Sequence, residues 1–127
     1  MSENKRKILL VEDDKYLIDI YTTELKKAGF VVKNALNGKE ALNEINKIKP
    51  DLLVLDIIMP EVDGWQVLRK IKEKAEFKNL NIIVLSNLSQ KEDIEKALKS
   101  GATKYFVKTH FTPSKVVEEI KKILNAD

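Results

Sequence analysis

The sequence predicts an α/β protein, a doubly wound five-stranded parallel sheet with helices on both faces, and three observations carry that prediction. Short β-branched apolar runs recur at 8–11, 31–32, 52–55, 82–85 and 105–107, each bounded by polar or turn residues, as strands are. Stretches with helical spacing separate them. The first, third and fourth runs are apolar on consecutive residues, the mark of strands covered on both faces and so of a parallel sheet. Right-handed crossovers between alternating strands and helices then send helices to both sides.

Taken in order, the first strand, Ile8 to Val11, is followed by Leu17, Ile18, Tyr21, Leu25 and Ala28 on one helical face, with Gly29 as the stop. Val31-Val32 opens a more peripheral second strand, and residues 38–47 read as the second helix. The third strand, Leu52 to Leu55, precedes a helix over 64–74, and the fourth, Ile82 to Leu85, precedes one over 90–99. Tyr105-Phe106-Val107 is the fifth strand. In the last segment Thr112 is a plausible N-cap with Pro113 at the first helical position, and Val116, Val117, Ile120, Ile123 and Leu124 form a buried stripe.

The chain has 127 residues, of which 43% are hydrophobic, enough for the core of a single domain without disulfides or structural metal. No cysteine is present. No apolar run approaches the roughly 20 residues that span a bilayer, and the polar start lacks the apolar body of a secretory signal. A cytoplasmic chain without a membrane partner is expected. The net charge of +3 comes from 23 basic and 20 acidic residues spread along the chain, with no basic cluster interleaved with aromatics, so direct nucleic-acid binding is not expected. One domain over 1–127 is expected, with no room for an output domain after the last helix.

Ligands of an open parallel sheet bind beyond the carboxyl ends of its strands. There the first strand delivers Glu12-Asp13-Asp14, the third Asp56, the fourth Ser86 and the fifth Lys108. Two carboxylates about 6 Å apart repel by roughly 3 kcal/mol at an effective dielectric near 20, so several carboxylates with one lysine must raise a pKa or recruit a cation. With oxygen donors only and no cysteine or histidine at ligand spacing, magnesium is favoured over zinc. Helix capping is the competing account for Asp13 or Asp14 taken alone. It explains neither Asp56 with the following Met59-Pro60 and Asp63-Gly64 nor Lys108 at the end of a buried strand.

The set Ile8 to Asp13, Asp56 to Pro60, Asp63-Gly64, Ser86, Gly101-Ala102 and Lys108 resembles the receiver domains of bacterial two-component response regulators, in particular the stand-alone type of the chemotaxis regulators, over almost the whole chain. The resemblance implies a flavodoxin-like sheet of strand order 2-1-3-4-5. It implies Asp56 as phosphoacceptor, and Mg2+ held by Asp13, by Glu12 through water, by Asp56 and by the carbonyl of Ile58, with Asp14 one place beyond the acidic pair. Lys108 would contact the acyl phosphate. Ser86 would be the switch hydroxyl and Tyr105 the aromatic residue that follows it inward, remodelling the face of the fourth helix, fifth strand and fifth helix where an effector docks. The donor would be a sensor histidine kinase or a histidine phosphotransfer protein. Such a domain is not an enzyme in the ordinary sense, although it catalyses its own phosphorylation and dephosphorylation.

Two positions depart from the family pattern. Thr109 stands where proline usually follows the lysine in a cis peptide, so the Lys108-Thr109 bond is either a strained cis bond, at about 3 kcal/mol, or trans. Asn87 replaces a small residue after Ser86. Ile58 and Leu88 occupy positions that in this family tune access of hydrolytic water, and their apolar bulk predicts slow loss of the phosphoryl group. His110, the sole histidine, reads as a loop residue, and Trp65 as a partly exposed helix residue. A glycine-loop nucleotide enzyme is disfavoured because the first turn is acidic, and a haloacid dehalogenase-type phosphohydrolase because Ile58 stands where a second aspartate is needed. The remaining rival is a receiver-like interaction module that works without phosphorylation.

Overall fold

The computed structural model describes residues 5–124. Five strands, β1 (Lys7–Val11), β2 (Val31–Ala35), β3 (Leu52–Leu55), β4 (Asn81–Ser86) and β5 (Lys104–Val107), alternate with five helices, α1 (Lys15–Lys27), α2 (Gly38–Ile48), α3 (Gly64–Lys72), α4 (Lys91–Lys99) and α5 (Pro113–Leu124). All neighbouring strands are parallel, in the order β2-β1-β3-β4-β5. The expected flavodoxin-like topology is therefore the observed one.

The consecutive apolar residues of the central strands divide by the two-residue period of the pleat. Leu9, Val11, Leu53, Leu55, Ile82 and Val84 face α2, α3 and α4, where they meet Ala41, Ile45, Val67, Leu68, Ile71 and Ala97. Ile8, Leu10, Leu52, Val54, Ile83 and Leu85 face α1 and α5, where they meet Tyr21, Leu25, Val116, Val117, Ile120 and Leu124. Burying each large side chain of this kind contributes about 1.5–3 kcal/mol. The stripe expected on α5 is buried apart from Ile123, which packs at its margin.

Helix ends follow local chemistry. Asp14 caps α1 by accepting from the amides of Tyr16 and Leu17, and Ala28 closes that helix just before Gly29 at φ +97°. Thr112 accepts from the Lys115 amide at 3.2 Å, as expected of a cap. The third helix ends at Lys72, two residues short of expectation, because Glu73 and Lys74 lead into a 3-10 turn over Ala75–Phe77 that buries Phe77. The fourth begins at Lys91, with Gln90 in the extended cap position.

Candidate functional site

Strand register builds the site. Val11 pairs with Leu55 and Ser86 with Val107, so Glu12, Asp56, Ser86 and Lys108 emerge side by side at the carboxyl edge. Backbone bonds pin them: the Glu12 amide donates to Ala35, that of Asp56 to Val11 at 3.2 Å, and that of Lys108 to Ser86 at 2.8 Å. Glu12, Asp56 and Ser86 are the buried polar residues of the described chain.

The Lys108 ammonium lies 2.9 Å from Oε1 of Glu12 and 2.9 Å from Oδ2 of Asp56. Each carboxylate has a second tie: Oε2 of Glu12 accepts from the Asp14 amide at 3.1 Å, and Oδ1 of Asp56 from the Ile58 amide at 3.3 Å. Burial raises the Glu12 pKa above the usual carboxylate range, with Asp56 adding to the rise and Lys108 opposing it. Burial alone would lower the Lys108 pKa, but its hydrogen bonds and charge attraction to Asp56 and Glu12 outweigh that and raise it. The lysine is thus a fixed cation.

One lysine does not neutralise the edge. Glu12, Asp13 and Asp56 bring carboxylate oxygens within 4.8 Å of one another, two of the residues buried and Asp13 exposed. This oxygen-only, charge-deficient donor set fits a hard divalent cation such as Mg2+. Asp14 is absent from the cluster because its side chain caps α1. Of the three acidic residues after β1, Glu12 and Asp13 lie in the cluster with Asp56.

The acceptor loop needs glycine where it meets α3. A Cβ on Gly64 would run into the Asp56 carbonyl oxygen and the Ile57 Cα, and one on Gly38 into the Val62 carbonyl oxygen, so the amino ends of α3 and α2 lie directly against this loop. The Gly64 amide donates to Ile57 at 2.8 Å, and Glu61 sits at φ +63°. Asp63, which the sequence reading set apart from capping, is a cap. It accepts from the Gln66 amide while the Gln66 side chain accepts from the Asp63 amide. The spacing Asp63-x-x-Gln66 is itself a capping-box signature, and the clearance required at Gly64 has no signal beyond the glycine.

Ser86 is fully buried, and its Oγ accepts from the Leu88 amide at 3.2 Å. The Tyr105 hydroxyl donates to the Leu88 carbonyl at 2.7 Å. Burial raises the Tyr105 phenol pKa, and burial followed by the Glu12 charge pushes Tyr21, whose position near the site sequence reasoning missed, up to about 12. Among the described residues no peptide bond is cis, so Lys108-Thr109 is trans, and Lys108 still reaches both carboxylates. His110 lies in the turn after β5. Ile58 is 58% exposed beside the site, and Trp65 is half-buried.

Residues 8–121 match the response regulator receiver domain family. The chain is 34% identical over 119 residues to chemotaxis protein CheY of Thermotoga maritima, covering 93% of this chain and 97% of that protein. It is 32% identical to the alkaline phosphatase synthesis transcriptional regulatory protein PhoP of Bacillus subtilis, covering 94% of this chain and 48% of PhoP; it spans about half the length of several curated relatives it matches. A solved CheY-like response regulator receiver domain protein from Methanospirillum hungatei superposes with a TM-score of 0.88 at 26% identity, covering 97% of this chain and 96% of that one. The chain belongs to the response regulator receiver domain family.

Proposed function

We propose that this receiver domain takes a phosphoryl group on Asp56 from a phosphohistidine of a sensor kinase or phosphotransfer protein, and that the acceptance reshapes the α4-β5-α5 face for an effector. The observation that carries the reading is the single Lys108 ammonium bridging Asp56 and Glu12 at 2.9 Å within a cluster of three carboxylates. Asp13, Asp56 and the Ile58 carbonyl would hold Mg2+, with Glu12 as the companion acid through water, since both its oxygens are already engaged. When bound, the ion supplies charge neutralisation on the transferring phosphoryl oxygens.

The protein's own share is positioning and electrostatics. An Asp56 carboxylate oxygen attacks phosphorus in line, forming the O–P bond as the P–N bond to the donor imidazole breaks. Lys108, fixed in its charged form, then donates to the phosphoryl oxygens. The Ile58 amide, already turned toward Oδ1, holds the carboxylate in orientation. Ser86 donates its hydroxyl to the phosphoryl group on leaving the Leu88 amide, and Tyr105 follows, a two-element switch. Hydrolysis by water at phosphorus returns the free carboxylate, a step the domain itself promotes. The absence of proline after Lys108 favoured the phosphorylation-independent alternative, but a trans bond that still delivers the lysine to both carboxylates weighs against it.

Incubation with acetyl phosphate, with and without magnesium, followed by intact-mass spectrometry tests the reading. One added phosphoryl group that requires both magnesium and Asp56 is expected, with none on Asp56→Ala. A wild-type protein that binds magnesium but gains no mass overturns it.

A further inference from the structure

On the flank of α4 turned away from β5, a groove between α3 and α4, with a cavity of about 320 Å³, is lined by Trp65, Arg69, Lys72, Glu73, Lys96 and Ser100. The site edge uses none of these side chains. Arg69, Lys72 and Lys96 line it with one carboxylate, Glu73, and among the described residues neither Arg69 nor Lys96 takes part in any ion pair. The Lys96 ammonium instead lies 4.2 Å from the centroid of the Trp65 ring, a cation–π contact that holds its charge over an apolar wall. Trp65 packs on the core beneath. Lys72 donates to the Lys78 and Leu80 carbonyls at 3.1 and 2.9 Å, so its stem lies as a rigid apolar floor, also touching the position where a Gly101 Cβ would be.

A half-buried tryptophan flanked by an arginine and a lysine has the composition of a binding hot spot. The unpaired cations fix the sign of what it takes. The groove runs open between two short helices, a shape that fits a chain segment better than an enclosed small molecule. Because Ala97 is the buried residue of α4, that helix is lightly held, and an occupant bridging α3 to α4 would bias its position.

We propose that the α3–α4 groove is a second docking site, distinct from the α4-β5-α5 face, for an acidic peptide segment of a partner protein, whose carboxylates pair with Arg69 and Lys96 and whose apolar side chain rests on the Lys72 stem beside the Trp65 indole. A segment that fixes α4 is linked to the switch, and by thermodynamic reciprocity phosphorylation changes its affinity.

Trp65 is the single tryptophan, so its emission reports on the groove. The probe is the capped peptide acetyl-DELFDE-amide, titrated into the unphosphorylated protein. A saturable change in emission is expected, with a Kd on the order of 10–100 μM. Arg69→Glu and Lys96→Glu should each weaken binding about tenfold or more. Lys121→Glu makes the same charge change on α5 and should leave it within about twofold. Asp56→Ala should bind as the wild type does, which separates this proposal from the phosphoacceptor assignment. Absence of saturation up to about 1 mM, equal weakening by Lys121→Glu, or tighter binding of adenosine monophosphate than of the peptide would each overturn it.

Discussion

The hydroxyl of Tyr105 donates to the carbonyl of Leu88 at 2.7 Å. The amide of that same Leu88 donates to Ser86 Oγ, so one loop residue ties the buried hydroxyl at the site to the aromatic residue on β5. Tyr105→Phe keeps the ring and removes the donor. It should cost about 1 kcal/mol and speed hydrogen exchange of the Leu88 amide about fivefold. Unchanged protection at Leu88 with an unchanged urea midpoint would show that the tie holds nothing.

Asp13 and Asp14 are neighbours in different surroundings. Asp14 caps α1, so Asp14→Ala should lose about 1 kcal/mol of stability while magnesium still binds. Asp13 is exposed in the acidic cluster. Asp13→Ala relieves like-charge repulsion and should leave stability within about 0.5 kcal/mol, yet weaken magnesium about tenfold or more. Calorimetric titration with magnesium, paired with urea denaturation in its absence, reads both quantities. Equal effects of the two substitutions on magnesium would contradict the division.

The topology was legible because the central strands are apolar on consecutive residues, a pattern with one common cause. The gathering of Glu12, Asp56, Ser86 and Lys108 was legible because four strand ends carry charged or hydroxyl residues where a parallel sheet gathers ligands. What stayed hidden depends on direction. Asp13 and Asp14 differ only in which way the chain turns them after Val11, and sequence supplies no angle. Asp63 belongs to the motif that capping alone did not explain, although its spacing to Gln66 spells a capping box. The clearance at Gly64 against the Asp56 carbonyl is a tertiary approach that composition cannot reveal, and neither is the nearness of Tyr21 to Glu12 across the α1 face.

Tyr21 gives the fold an alkaline limit. Its pKa is pushed up to about 12 by burial and the Glu12 charge, against roughly 10 in the unfolded chain. The folded state therefore holds the phenol proton more tightly. The associated stability is fully present below pH 10 and is lost as pH rises through the interval to 12, by about 3 kcal/mol at most. Tyr21→Phe keeps the buried ring and cannot ionise. Urea unfolding at pH 9 and pH 11 should therefore show a smaller loss in the variant than in the wild type, and parallel losses would remove Tyr21 as the cause.

If Asp56 is phosphorylated as proposed, Ile58 is expected to slow its hydrolysis. The residue is 58% exposed beside Asp56, and its own amide is committed to Asp56 Oδ1. An apolar side chain there offers an incoming water no hydrogen bond, so water reaches phosphorus without being oriented. A polar replacement supplies one such bond, worth about 1 kcal/mol, and converted to rate that is about fivefold. Ile58→Asn, phosphorylated with acetyl phosphate and followed by mass after removal of the donor, should lose its phosphoryl group about fivefold faster than the wild type. Equal decay rates would place control of the water elsewhere, with Leu88→Asn the next substitution to compare.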